Sequence, residues 1–187
     1  MKLYTIQHES VYHKILKNKV YTTDKRFICS KSFQKAYEWM SKMMKKYRVG
    51  SSRPIFCYVD KPDLRVERYS FSDTRKAKSL NMVLLEIEVP DERVLISDFS
   101  LWHFVLNDYS IFFGSEEEVW EGKEKTKSYI KFKEKSWERC LVLPQNDFSN
   151  YPKDLQSSGM KQACIPEIKQ EYIKKVTPFI LINKAKK

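Results

Sequence analysis

The stretch Met82-Val83-Leu84-Leu85-Glu86-Ile87-Glu88-Val89 carries the strongest strand signal in this sequence. Apolar residues dominate it, and Pro90 and Asp91 directly after it are typical of a strand end. Further segments with the residue pattern of strands lie on both sides of it in the chain. They are residues 3–7, 54–59, 93–96, 162–168 and 176–183. The sequence therefore predicts a sheet of several strands.

An amphipathic helix is predicted over about residues 31–47, because apolar side chains recur there at offsets of three and four. Its stripe consists of Phe33, Ala36, Tyr37, Met40, Met43, Met44 and Tyr47. Ser30 or Ser32 would cap its start, and Gly50 would close its end. Shorter helices are predicted at 11–18, from Ser97 or Asp98 to about 107, and from a capping box at 115–118.

Length and composition fit one compact domain. The chain has 187 residues, of which 42% are hydrophobic, and this is too much apolar surface for a disordered chain. No internal repeat or low-complexity linker divides it, so residues 1–187 are predicted to form a single domain with a flexible basic tail at 184–187. The expected fold class is α+β, with a mixed or mostly antiparallel sheet and amphipathic helices packed on it.

The charge balance favours anionic partners. Lys and Arg number 35 against 24 Asp and Glu, which leaves a formal net charge of +11. The densest basic run is Lys42, Lys45, Lys46, Arg48 and Arg53, which would bind nucleic acid by neutralising phosphates. The lysines between 123 and 135 alternate with glutamates and therefore indicate a solvated surface instead.

Several classes of protein and site are excluded on sequence grounds. The apolar runs are far shorter than the roughly 20 residues that span a bilayer, so we expect a cytoplasmic protein with no membrane partner. Cys29, Cys57, Cys140 and Cys164 show no Cys-x-x-Cys spacing and have no nearby His, which predicts reduced thiols and no metal site. With only 4 Gly, the chain has no glycine-rich phosphate loop.

Candidate site residues are the polar and aromatic side chains at the ends of predicted strands and helices. Rigid scaffolds display binding groups at such positions. Those at strand ends are Gln7, Asp63, Arg65 and Gln162; those that could wall a pocket are Trp102 and Trp137, with His103 and Glu138 next to them. The alternative interpretation is that each polar group satisfies a nearby backbone group and each aromatic ring belongs to the core.

Several spaced blocks of the sequence are distinctive. The blocks are Thr5-Ile6-Gln7, Ala36-Tyr37-Glu38-Trp39-Met40, Arg53-Pro54-Ile55-Phe56, Lys61-Pro62-Asp63-Leu64-Arg65, Leu95-Ile96-Ser97-Asp98-Phe99 with Trp102-His103 and Leu106-Asn107, Lys135-Ser136-Trp137-Glu138, and Gln162-Ala163. Together they resemble a bacterial family catalogued as domain of unknown function 3841, and the resemblance covers nearly the whole chain. It implies a domain and a set of candidate residues, but no reaction.

The two ends of the chain are also similar to small ADP-ribosyltransferase-like domains. The similarity lies in Leu3-Tyr4-Thr5-Ile6-Gln7 and in Gln162-Ala163-Cys164-Ile165-Pro166-Glu167-Ile168. It implies NAD as the cofactor, Gln7 at the nicotinamide-ribose position, Gln162 at the position of the transferase glutamate, and a stacking ring from Tyr37, Phe56 or Tyr58. The family has His or Arg in the first motif and often Glu in the last, and a glutamine in either place cannot act as a base.

Three functional hypotheses remain open at this point. The first is an NAD-binding enzyme of the ADP-ribosyltransferase type, with a nucleic acid or a protein as acceptor. The second is a non-enzymatic module that binds a small polar or anionic ligand or a partner through Asp63, Arg65, Trp102 and His103. The third is a nucleic-acid-binding protein that uses the basic run at 42–53. The sequence does not decide whether the protein is an enzyme.

Overall fold

The architecture was obtained as a computed structural model, which describes residues 1–23, 33–67, 79–142 and 160–182. The strands are β1 (Lys2–His8), β2 (Val20–Tyr21), β3 (Ile55–Tyr58), β4 (Ser79–Glu88), β5 (Leu95–Asp98), β6 (Lys161–Ile165), β7 (Ile168–Lys169) and β8 (Ile173–Ile182). The helices are α1 (Glu9–Asn18), α2 (Gln34–Lys46), α3 (Leu64–Glu67), α4 (Phe99–Leu106), α5 (Glu116–Trp120) and α6 (Lys127–Ser136). Short 3₁₀ turns cover 91–93, 137–140 and 170–172.

The main sheet has six strands in the order β5-β6-β3-β1-β4-β8, and all its neighbouring strands pair antiparallel. The predicted strand at 82–89 lies within β4, which pairs with β1 on one side and with β8 on the other. Strands β2 and β7 form a separate antiparallel pair. The predicted α+β class with a mostly antiparallel sheet is therefore confirmed.

The two faces of the main sheet carry different cores. Leu3 of β1 packs with Val11 and Ile15 of α1, which covers the face that we call the α1 face. Tyr4 is the next residue along β1 and therefore points to the opposite face. On that face, Cys164 of β6 belongs to a buried core that includes Met40 of α2 and Trp102 of α4. We call it the α2 face.

Helix α2 is the predicted amphipathic helix, with buried residues Ala36, Trp39, Met40 and Met44. Its predicted caps Ser30 and Ser32 lie outside the described residues. The helix ends at Lys46, one residue from the predicted end at 47, and Arg48 after it has a left-handed φ of 59°.

Gly50 has a packing role instead of the predicted helix-closing role. A Cβ atom there would lie 2.5 Å from Cβ of Pro166, so only glycine permits this close approach of two loops.

Candidate functional site

Strand pairing brings four polar and aromatic side chains into one row on the α2 face. The pairs are Ser97 with Gln162, Gln162 with Tyr58, and Tyr58 with Tyr4. Residues that pair directly across antiparallel strands project from the same face of the sheet. These four side chains therefore form a continuous row across β5, β6, β3 and β1, which we call the Gln162 row.

Gln162 is the most distinctive member of this row. Its side chain is buried, with 7% relative exposure, and Nε2 donates to Oγ of the fully buried Ser97 at 3.1 Å. No second hydrogen-bond partner of the amide is found in the described parts of the chain. If the nitrogen and oxygen of the amide were exchanged, the second of these two atoms would still have no hydrogen-bond partner in the described residues. Leaving such a buried group unsatisfied costs about 1–3 kcal/mol.

A cluster of three aromatic rings lies on the same face of the sheet as Gln162. Phe56 precedes Tyr58 by two residues on β3 and pairs with Cys164, so it faces the same side of the sheet one row further along. Its ring centroid is 5.3 Å from that of Tyr37 and 5.0 Å from that of Trp102. The rings of Tyr37 and Trp102 are 6.4 Å apart. The structure thus brings Tyr37, Tyr58, Trp102 and Gln162, four of the predicted site residues, to one region.

Gln7 and Gln162, the two predicted catalytic residues, project from opposite faces of the main sheet. Gln7 is three residues after Tyr4 on β1, which places it on the α1 face, opposite to the Gln162 row. There its Nε2 donates to Oγ1 of Thr5 at 2.8 Å, and Thr5 donates to the carbonyl of Phe56 at 3.2 Å. The sheet itself separates the two glutamines. Two residues that are an odd number of positions apart on one strand point to opposite faces of the sheet. Sequence similarity at the chain ends does not show on which face a side chain lies.

Asp63 and Arg65 form an exposed local pair at the start of α3. Nη2 of Arg65 lies 2.8 Å from Oδ2 of Asp63, and the backbone N–H of Arg65 donates to Oδ1 of Asp63. The hydrogen bonds from Arg65 lower the pKa of the Asp63 carboxyl. These contacts explain the positions of both side chains, because together they form the turn that begins α3.

His103, Trp137 and Glu138 have partners of their own. The Nδ1 of His103 is 2.9 Å from the carbonyl of Phe99 on the exposed side of α4. Trp137 is a core residue whose Nε1 donates to the carbonyl of Tyr109 at 2.7 Å. Glu138 pairs with Lys46 at 2.8 Å. None of these contacts involves the Gln162 row.

The basic run proposed for nucleic acid lies at the end of α2 and just after it. Lys42, Lys45, Lys46 and Arg48 are all exposed. Lys46 is engaged by Glu138, whose two carboxylate oxygens lie 2.9 and 2.8 Å from Nζ. Nucleic-acid binding through this run remains a prediction.

Three of the four predicted reduced thiols are free and buried, namely Cys57, Cys140 and Cys164, whereas Cys29 lies outside the described residues. Burial raises the pKa of Cys57 to about 12 and raises the pKa of Cys140 and of Cys164 well above the usual range of a thiol.

The described residues contain neither a cluster of metal ligands nor a membrane-spanning helix. In those parts of the chain, no cluster of His, Cys, Asp and Glu is arranged to hold a metal ion. No helix in them is long and apolar enough to cross a membrane.

A groove of about 500 Å³ beside α5 was not predicted from the sequence. Its lining consists of Phe112, Gly114, Glu117, Glu118, Trp120, Glu121, Glu124 and Tyr129. In the sequence, residues 115–118 were interpreted only as a helix start. An acidic run around a tryptophan, inside a chain of charge +11, was the signal that could have indicated it.

A family model described as a domain of unknown function, DUF3841, matches residues 2–174. The chain belongs to this family. Membership in DUF3841 confirms the resemblance carried by the spaced sequence blocks, and the family description names no reaction. No curated protein and no solved structure matches the chain. The similarity to ADP-ribosyltransferase-like domains thus receives no support from these comparisons.

Proposed function

We propose that this DUF3841 chain is a binding module for a small, flat, polar ligand, which it holds at the Gln162 row. The single observation that carries the proposal is the buried Gln162 amide with unused hydrogen-bonding capacity. Buried polar groups in folded proteins nearly always have partners. A ligand that donates to or accepts from this amide would supply the missing one.

The neighbouring rings define the shape of that ligand. Tyr37, Phe56 and Trp102 pack against one another on the same face as Gln162, and Tyr58 pairs with Gln162 directly. Small-molecule sites typically combine aromatic walls with a few polar groups that fix orientation. An amide beside aromatic rings suits a heterocycle or a carboxamide, which stacks by its face and hydrogen-bonds by its edge.

An NAD-dependent transferase is less well supported than this module. The resemblance places Gln7 and Gln162 around one nicotinamide ribose, whereas the two side chains lie on opposite faces of the sheet. Asp63, Arg65 and His103, which the sequence proposed for binding, are engaged in local contacts. The proposal therefore retains Tyr37, Tyr58, Trp102 and Gln162 from the predicted set.

The test compares two glutamine substitutions in the same sheet. Gln162→Met keeps the approximate volume of the side chain and removes its hydrogen bonds, and Gln7→Met does the same on the opposite face. The probes are nicotinamide, adenosine and NAD, measured by isothermal titration and by tryptophan fluorescence. We expect nicotinamide or adenosine to bind the wild type, and to bind Gln162→Met about tenfold more weakly, in line with the loss of one buried hydrogen bond. Gln7→Met should bind as the wild type does.

Two outcomes would contradict the proposal. One is the absence of binding of all three probes at millimolar concentration. The other is an equal loss in Gln7→Met and Gln162→Met, which would indicate a general effect on the sheet. Binding of NAD that needs both glutamines would favour the transferase over the module. Melting temperatures of both variants show whether either substitution has disturbed the fold.

A further inference from the structure

The groove beside α5 has an aromatic wall that continues below its surface. The ring of Trp120 stacks on Phe132 with a centroid distance of 5.0 Å and meets Tyr129 edge-on at 5.9 Å. Phe112 stacks on the same Phe132 at 5.8 Å. These contacts hold the rings in fixed positions, so Phe112, Trp120 and Tyr129 present a preformed apolar surface to the groove.

The rim of the groove is acidic and has no counter-ion among the residues that the structure describes. Glu117, Glu118 and Glu121 are exposed, and none of them forms an ion pair or a side-chain hydrogen bond with any residue in the described ranges. Lys123, which follows closely in the sequence, donates to the carbonyl of Val119 instead. Within the described part of the chain, Glu124 accepts from the backbone N–H of Gly122, at 2.9 Å, and from no other group.

This unneutralised rim contrasts with the rest of the protein. The chain carries a net charge of +11, so an average part of its surface repels cations. A groove that combines aromatic faces with several carboxylates attracts them locally. The ligand class that uses both features is a planar, weakly hydrated cation, because a guanidinium stacks on rings and pairs with carboxylates in a bidentate manner.

We propose that the groove beside α5 binds an arginine-bearing segment of a partner protein. The volume of about 500 Å³ accommodates more than one side chain. The rim offers a carboxylate for each of several guanidinium groups, with Glu117 and Glu118 on α5 and Glu121 and Glu124 on the turn after it. A peptide that carries neighbouring arginines fits this arrangement better than a single small cation does. The site is separate from the Gln162 row, and the two proposals stand independently.

The experiment measures binding of an acetylated and amidated tetra-arginine peptide to the full chain by isothermal titration. Because the protein and the peptide are both cationic, their net charges repel, which disfavours non-specific attraction between them. Glu121→Gln should weaken binding about two- to fivefold, the typical effect of one exposed charge pair. Trp120→Leu should weaken it about three- to tenfold through loss of a stacked ring. Glu92→Gln, an exposed glutamate outside the groove, is the matched control and should change nothing.

The proposal is overturned if tetra-arginine does not bind at millimolar concentration, or if Glu121→Gln and Glu92→Gln behave alike. A tetra-lysine peptide of equal affinity would also overturn it, because an ammonium group uses the carboxylates without needing the ring faces. Trp120→Phe, which keeps an aromatic ring, should bind more tightly than Trp120→Leu. This pair keeps the test valid if removal of Trp120 loosens the local packing.

Discussion

Arg139 connects the 3₁₀ turn at 137–140 to the segment at 111–116 through one guanidinium group. It pairs with both carboxylate oxygens of Glu116, at 2.6 and 2.8 Å, and donates to the carbonyl of Ile111. Its central carbon also lies 4.1 Å from the ring centroid of Phe113. A partly buried bidentate pair of this kind is worth more than an ordinary surface ion pair. The contact therefore fixes α5, and with it the groove, to the 3₁₀ turn at 137–140.

This pair makes stability depend on pH in a defined direction. The hydrogen bonds from Arg139 are the largest cause that lowers the pKa of Glu116 below its usual value of 4.5. A lowered pKa in the folded state means that the pair stabilises the protein above the unfolded-state pKa. That stabilisation is lost as the pH falls through the folded-state pKa.

We expect Glu116→Gln to reduce the free energy of unfolding by about 1–2 kcal/mol at pH 7, the range for a partly exposed hydrogen-bonded charge pair. The difference between variant and wild type should shrink as the pH falls below about 4.3, the ordinary pKa of a glutamate in the unfolded chain, because the unfolded state then binds a proton more readily than the folded state does. Urea denaturation at pH 7 and at pH 3.5 measures both values. Glu117→Gln, next in the chain and without an ion pair in the described residues, should stay within about 0.5 kcal/mol of the wild type. A difference that is independent of pH would refute the assignment.

At the scale of elements, the two edges of the main sheet are protected in different ways. The outer side of β5 is covered by a bridge between Ser97 and Leu141 and by a hydrogen bond from Val142 N–H to the Ile96 carbonyl at 2.9 Å. Strand β8 pairs only with β4 among the strands that the structure describes. It contains Pro178 near its middle, and Ile180 is 53% exposed. Natural sheets use proline to interrupt edge strands because proline donates no hydrogen bond.

Pro178 should therefore limit the pairing of β8 with another chain. Replacing it by threonine, Pro178→Thr, restores an N–H and raises strand propensity, so we expect association that increases with protein concentration. Size-exclusion chromatography with light scattering, at rising concentrations, detects the change in mass. Ile180→Thr, which keeps the proline and lowers the exposed apolar area, should give the same mass as the wild type. If Pro178→Thr also behaves as the wild type, proline is not what protects this edge.

At the scale of the whole molecule, the buried thiols report global unfolding. Cys57 lies on β3, Cys164 on β6 and Cys140 in the 3₁₀ turn at 137–140, and all three are inaccessible. Because burial also raises their pKa, the reactive thiolate is scarce in the folded state at neutral pH. These residues share the cores on both faces of the sheet. A thiol reagent should therefore reach them only when the sheet and its helices separate.

In a Cys29→Ser variant, we expect no reaction with a disulfide thiol reagent at pH 8 in buffer and reaction of the three remaining thiols in denaturant. Labelling across a urea series should follow the loss of circular dichroism. Reaction of any of the three thiols well before the unfolding transition would show that part of the sheet opens on its own.

Local sequence patterns predicted most of the elements. Apolar residues at offsets of three and four indicated α2, and the run at 82–89 indicated β4, because side-chain periodicity is a property of neighbouring residues. The spaced blocks also identified the DUF3841 family. The same patterns assigned Gly50 a helix-closing role, since they did not show that Gly50 approaches Pro166, which lies far along the chain.

Only the tertiary structure decided which candidate residues meet. Gln7 and Gln162 looked equivalent as glutamines near strand ends, yet the register of β1, β3 and β6 places them on opposite faces. The same register aligned Gln162 with Ser97 and Tyr58, and helix packing brought Tyr37 and Trp102 beside Phe56. The sequence by itself determined the class of the fold, because periodicity is local. The sites depended on strand register and helix packing, because a shift of one residue turns a side chain to the other face of a sheet.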